Sequence, residues 1–208
     1  MNELNQINEG FELINRTDKN RHGYLNVYEQ HFQPLKEKEI SLLEIGIWSG
    51  ASIRIWEKFF TRALIYGIEK DPAVLDHKFS RAKIDIVDQS DKIQLENYSK
   101  DKNFDIIIDD GSHFPLDQIL SFQILFEKLN PGGLYIIEDL HVAYQEIFRN
   151  YKGLNVSFLS NLLHYLNFCG KVHFLAEPEK EKHKFVEYDG RFEFMHFYPG
   201  LCIIKKTK

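Results

Sequence analysis

The stretch LLEIGIWSG, residues 42–50, is a short apolar run broken by Glu44 and Gly46 that closes on a second glycine, Gly50. A run of this length, nearly continuous in Leu and Ile and ended by turn residues, suits a strand buried on both faces. The pattern returns at 63–69, 84–87, 104–109 and 134–137, with longer segments of helical spacing between the runs. Strands alternating with helices predict a parallel α/β sheet. Between the fourth and fifth runs, Leu116, Ile119, Leu120, Phe122, Leu125, Phe126 and Leu129 recur at helical intervals behind Pro115, and Asn130-Pro131-Gly132-Gly133 is expected to stop that helix. Segments 192–198 and 201–206 flank Pro199-Gly200, a separation that predicts an antiparallel hairpin. The expected fold is Rossmann-like α/β: a seven-stranded, mostly parallel sheet with helices on both faces and a reversed hairpin at its end.

Outward from this frame, 208 residues suit one domain. Its expected parts are a helical cap over 1–40, with helices at 2–15 and 24–33, a ligand-binding core over 41–140, a helical, variable or lid region over 141–190, and the hairpin at 191–208. Within the third part, VSFLSNLLHYLNF (156–168) is apolar on almost every side, as a covered helix or a contact surface would be, and 177–184 reads as a charged, solvated loop. A hydrophobic fraction of 43% supplies a real core and excludes a disordered chain. Lys and Arg number 26 against 31 Asp and Glu, for a net charge of −5, so no global positive field gathers nucleic acid or anionic lipid. No apolar run reaches membrane-spanning length, the first residues lack a signal-peptide pattern, and Cys169 and Cys202 show neither a disulfide framework nor zinc spacing. A cytoplasmic protein is the expectation.

In an open parallel sheet, ligands bind outside the carboxyl ends of the strands. Gly46 and Gly50 let backbone approach a ligand after the first strand, and Glu44 is an acceptor suited to a cationic ligand amine; Ser52 is grouped with this loop. A dinucleotide cradle requires G-x-G-x-x-G, and Trp48 and Ala51 stand at its second and third glycines, which opposes an NAD-dependent oxidoreductase. Glu69 closes the second strand, where a carboxylate takes both ribose hydroxyls, and Asp88 with Gln89 offers an acceptor and an amide to an adenine edge. The competing reading is a tight turn with no ligand.

The fourth and fifth strands end in Asp109-Asp110-Gly111-Ser112-His113 and Glu138-Asp139-Leu140-His141. On neighbouring strands, Asp110, Glu138 and Asp139 would cluster, and three close carboxylates cannot all stay ionised without a counter-charge. A divalent cation answers this, and oxygen ligands select a hard ion: Mg²⁺, with Mn²⁺ as substitute. Helix capping by Ser112 or Asp139 is the rival account. His113 follows on the same turn and is suited to accept a hydroxyl proton, with His141 as the alternative base. None of the nine histidines forms an H-E-x-x-H pair, against a zinc hydrolase. Asp109 either faces the ligand or holds the strand end.

The chain resembles class I S-adenosylmethionine-dependent methyltransferases. Within them it is similar to the metal-dependent sugar O-methyltransferases of macrolide antibiotic pathways, a group related to the cephalosporin hydroxylase-like methyltransferases. The likeness lies in LLEIGIWSGASIRIWEKFF, YGIEKDP, VDQSD, FDIIIDDGSH, LNPGGLYIIEDLH and HFYPGLCIIKK, with Thr17-Asp18-Lys19, His22, Tyr24 and Tyr28. Ala51 stands where the group usually has glycine, and a long amino-terminal extension is lacking, which bears on oligomer contacts and substrate choice. The resemblance implies S-adenosylmethionine at Glu44, Gly46, Gly50, Ser52, Glu69, Asp88, Gln89 and Asp109, and Mg²⁺ on Asp110, Glu138 and Asp139. It implies methyl transfer to a hydroxyl of a sugar or glycosylated small molecule, with His113 as base. Tyr24, Tyr28, His141 and Tyr144 are candidates to meet the acceptor or to close over it with the segment 142–168, core packing being the other reading of the tyrosines. A homo-oligomer is compatible with this picture. The rivals are a catechol-type methyltransferase acting on an aromatic diol and a non-catalytic nucleotide-binding module.

Overall fold

The computed structural model of the chain describes residues 2–144 and 190–208. Strands β1 (Ser41–Ile45), β2 (Leu64–Glu69), β3 (Lys83–Ile86), β4 (Phe104–Asp109), β5 (Leu129–Ile137), β6 (Phe192–Tyr198) and β7 (Leu201–Lys206) form one sheet in the order β3-β2-β1-β4-β5-β7-β6. The first five are parallel, and β7 runs antiparallel to both β5 and β6. Chain order reverses between β1 and β4, which places a topological switch point beyond Ile45 and Asp109, paired residues at their carboxyl ends.

Alternation along the strands divides the core in two. Leu42, Ile106, Ile108, Leu134 and Ile136 face one cluster, whereas Leu43, Ile107, Tyr135 and Ile137 face the other, as a two-residue period requires. The first cluster receives Ile53, Trp56 and Phe59 of helix α3 (Ala51–Phe59), over which α1 (Glu3–Glu9) and α2 (Tyr24–Phe32) bring Leu4, Leu25, Tyr28 and Phe32. Leu95 of α4 (Lys92–Ser99) and Phe122 and Leu125 of α5 (Pro115–Leu125) join the second. Among the described residues, no helix is long and apolar enough to cross a membrane.

Several expected boundaries shift. The first helix stops at Glu9, before Gly10, and a 3₁₀ turn at Leu13–Asn15 takes up part of the rest. Helix α5 ends at Leu125, and residues 130–133 lie inside β5 instead of only stopping the helix. That stretch enters the sheet through an irregular register opposite β4, with the Asn130 side-chain amide donating to Asp105 at 2.9 Å. Strand β3 is largely exposed, not buried on both faces, because it forms an edge of the sheet; Val87, just past its end, is buried. The expected helix at 156–168 and loop at 177–184 fall outside the described residues.

Candidate active site at the strand tips

Three non-glycine residues among those described have left-handed backbone: Trp48 (φ 41°), His113 (φ 58°) and Asp139 (φ 55°). Such conformations are uncommon outside glycine and gather at functional sites. Here they follow β1, β4 and β5 respectively, and all three line one cavity of about 470 Å³ at the switch point. Its wall also includes Gly46, Glu69, Asp88, Asp110, Glu138 and the segment Arg16, Thr17 and Asp18. Gly46 (φ 76°) permits the close approach of β1 and β4 loops, since a Cβ there would overlap the Asp110 carbonyl oxygen.

Beneath this cavity lies a buried ion cluster. The Lys19 ammonium contacts Glu138 Oε1 at 2.7 Å and Glu44 Oε1 at 3.3 Å, and pairs closely with Asp110 Oδ2. Lys19 is only 2% exposed, although lysine is almost never buried unless paired. Burial opposes its charge, but Asp110, Glu138 and Glu44 outweigh that effect and hold its pKa well above the ordinary lysine value. Burial raises the pKa of all three acids; for Glu138 the neighbouring Asp110 adds to the rise, while Lys19 lowers each. The counter-charge expected from a metal ion is thus supplied on this side by a side chain. Its distance in sequence from the acids is why spacing did not reveal it.

The expected residues divide by where their polar atoms go. Glu44 lies fully buried under the loop and does not line the cavity; Ser52 Oγ and Trp56 Nε1 each donate to its Oε2 at 2.9 Å. The cation that Glu44 meets is Lys19. Asp109 is likewise absent from the cavity wall. Its Oδ1 accepts from Gln89 Nε2 at 2.7 Å and from the Gly111 amide at 3.4 Å, bonds that hold the strand end. Burial pushes its carboxyl up to about 7. Gln89 lines the cavity but spends its amide inside the protein, accepting from the Ser112 amide at 2.8 Å while donating to Asp109, rather than presenting both ends to an adenine.

Glu69 stays half-buried at the wall and receives the backbone amides of Trp48 at 3.1 Å and Lys70 at 2.8 Å, which orient its carboxylate. Asp88 caps the next turn through Ser90. Ser52 touches the wall, and Gly50 does not, although its φ of 71° starts α3 where a side chain would strike Phe79. Tyr28 is a core residue, not a lid: it is fully buried and its hydroxyl donates to Glu138 Oε1. Tyr24 reaches the cavity and donates to Asp139 Oδ1 at 2.8 Å. His141 is exposed and off the wall, near His22, and of the two candidate bases His113 is the one that lines the cavity, as His22 also does. The Tyr144 side chain lies outside the described residues.

Two groups of metal-competent atoms share Asp110. In one, Asp110, His113 and Asp139 hold ligand atoms within 4.8 Å of one another, each residue partly exposed; in the other, Glu44, Asp110 and Glu138 surround Lys19. Glu138 turns its Oε1 to Lys19 and Tyr28 and groups with Glu44 and Asp110, whereas Asp139 groups with Asp110 and His113. His113 Nε2 stands 3.8 Å from Asp139 Oδ2, and among the described residues its buried Nδ1 has no hydrogen-bond partner.

The fold has solved counterparts. The whole chain superposes on 55% of the MycE methyltransferase from the mycinamycin biosynthetic pathway, in a complex with Mg and SAH, with a TM-score of 0.80 and 26% identity. The chain has the class I methyltransferase fold. No family model matches the chain. It is 32% identical, over 95% of its length and 54% of the relative's, to the 8-demethyl-8-alpha-L-rhamnosyl tetracenomycin-C 2'-O-methyltransferase of Streptomyces olivaceus. The demethylmacrocin O-methyltransferase of Streptomyces fradiae is 34% identical over 89% of the chain and 49% of the relative. The chain spans about half the length of the curated relatives it matches.

Proposed function

We propose that this methyltransferase fold transfers the methyl of S-adenosylmethionine to a hydroxyl of a sugar or sugar-bearing small molecule, with Mg²⁺ as cofactor. The observation that carries the reading is the meeting of the left-handed loop at Trp48 with Asp110, His113 and Asp139 on one cavity wall. Similarity to sugar O-methyltransferases and to a methyltransferase solved with Mg and SAH supports the reaction class.

The donor set fits a hard cation. Lys19 occupies Oδ2 of Asp110 and Oε1 of Glu138, so Oδ1 and Oε2 of these wall residues remain for an ion, together with the Asp139 carboxylate. Oxygen ligands in an open cavity with room for water suit Mg²⁺. Held there, the ion would polarise an acceptor hydroxyl, and S-adenosylmethionine would supply an already activated methyl group. Gly46 and the Trp48 loop admit the cofactor, Glu69 receives its ribose hydroxyls, and Asp88 stands beside it. His113 takes the hydroxyl proton at a ring nitrogen, and Tyr24 steadies Asp139. Alignment of oxygen, carbon and sulfur is the main service such a site performs, contributing up to roughly 7–11 kcal/mol in well-oriented systems.

The test is transfer of isotopically labelled methyl to a panel of rhamnosides, deoxysugar macrolides and catechols, with Mg²⁺ and with a chelator. Label on a sugar oxygen that disappears with chelator is expected. Label only on catechols, or transfer indifferent to chelator, would overturn the assignment.

A further inference from the structure

The two metal-competent groups are chemically unequal. Glu44, Asp110 and Glu138 offer three carboxylates, whereas the other group offers two carboxylates and an imidazole. A hard divalent ion prefers oxygen, so by donor chemistry alone the carboxylate-only group would win. An ion there would be misplaced, because Glu44 is buried under the β1 loop and does not face the cavity. Lys19 stands in that place: its ammonium touches all three carboxylates, from a 3₁₀ turn (Asp18–Asn20) whose first residue and its predecessors, Arg16 and Thr17, line the cavity.

Resting on the reading of the site as a divalent-metal methyltransferase centre, we propose that Lys19 is a positioning residue that keeps the ion out of the Glu44 side. It thereby confines the ion to the cavity side, where Asp110 and Asp139 stand beside His113. An ammonium already seated among Glu44, Asp110 and Glu138 opposes a dication in that same space, because their repulsion at contact distance in a buried setting is severe. Lys19 occupies one oxygen each of Asp110 and Glu138 and leaves the other oxygen of each free of it. It orients ligands without being one, as partners behind a metal shell do.

The experiment uses Mn²⁺ as the probe on the full chain. Anomalous maps of wild-type crystals soaked with Mn²⁺ should show the ion within ligand distance of Asp110 and Asp139, with Lys19 still against Glu44. In Lys19→Met the ion should move to, or a second ion enter, the space among Glu44, Asp110 and Glu138, and Lys19→Arg should restore the wild-type position. In solution, Mn²⁺ affinity measured by electron paramagnetic resonance should be indifferent to Glu44→Gln in the wild-type background. In Lys19→Met it should fall by about tenfold or more on the same change. An ion found beside Glu44 in the wild type with Lys19 swung away overturns the inference while leaving the metal reading intact, and so does an unmoved ion in Lys19→Met with no second ion among Glu44, Asp110 and Glu138. If Lys19→Met does not fold, the wild-type map alone decides. Absence of Mn²⁺ at saturation from both the cavity and the space beside Glu44 defeats the metal reading itself, and this inference with it.

Discussion

The Gln89 side-chain amide donates to Asp109 across 2.7 Å and ties the segment after β3 to the tip of β4 beneath the cavity. The tie matters because Asp109 is fully buried and its Oδ2 has no hydrogen-bond partner among the described residues, so burial pushes its carboxyl up to about 7.

Asp109 should make stability depend on pH near neutrality. Its folded pKa lies above the unfolded value, so its stabilising contribution is complete below about pH 4 and is lost as pH rises through about 7. Between pH 6 and 8, Asp109→Asn should show a smaller fall in Tm than the wild type. Parallel Tm-against-pH curves for the two proteins would remove Asp109 from this role.

Glu44 should need its Trp56 partner. The indole donates to Glu44 Oε2 at 2.9 Å in a fully buried setting. Trp56→Phe leaves that acceptor short of a donor and should cost about 2–5 kcal/mol, combining the lost hydrogen bond to a charged group with lost packing. Urea titration measures it; a loss within ~0.5 kcal/mol of zero, the range of a neutral surface change, would contradict the geometry.

Gly46 should tolerate no side chain. Its φ of 76° and the overlap of a Cβ with the Asp110 carbonyl mean that Gly46→Ala must part the β1 and β4 loops. A destabilisation of at least about 1–3 kcal/mol is expected, with loss of S-adenosylhomocysteine binding. Gly10→Ala is a suitable control, since a Cβ there meets its nearest atoms at 3.4 Å.

His113→Ala should lower kcat by roughly 10²–10⁴ with little change in the acceptor KM, as removal of a general base does. The same change at His141, which is exposed and off the wall, should leave kcat near the wild-type value. Equal losses in both variants would put the base elsewhere.

Much of this molecule could be read from local pattern. The bounds of β4, β6 and β7 coincide with runs at 104–109, 192–198 and 201–206, because an apolar run ended by Asp-Asp-Gly or Pro-Gly has few other solutions. Acids at strand tips were legible for the same reason: chain direction in a parallel sheet dictates where they end. Lys19 was not, since its ion pairs reach 91 and 119 residues along the chain and depend on how the first two helices pack over α3. The exposure of β3 was hidden too, because strand composition does not announce which strand becomes an edge. Pro131 and the glycines after it are helix stoppers by habit, yet a strand can begin irregularly where a side chain such as Asn130 spans the register shift. Glu44 and Asp109 were placed at the right strands, but the groups their oxygens meet, Ser52, Trp56 and Lys19 for one and Gln89 for the other, were not legible, since a side chain's direction at a strand end follows from neighbours that periodicity does not name.

Calorimetric titration of S-adenosylhomocysteine, followed by Mg²⁺, into the wild type and Asp110→Asn addresses the chemistry of the cavity most directly. Both proteins should bind S-adenosylhomocysteine with similar affinity, and the wild type should then bind Mg²⁺ while the variant does not. A wild type that takes up no Mg²⁺, or a variant that loses the nucleoside and keeps the metal, would contradict the assignment of Asp110 to the acceptor side of the site.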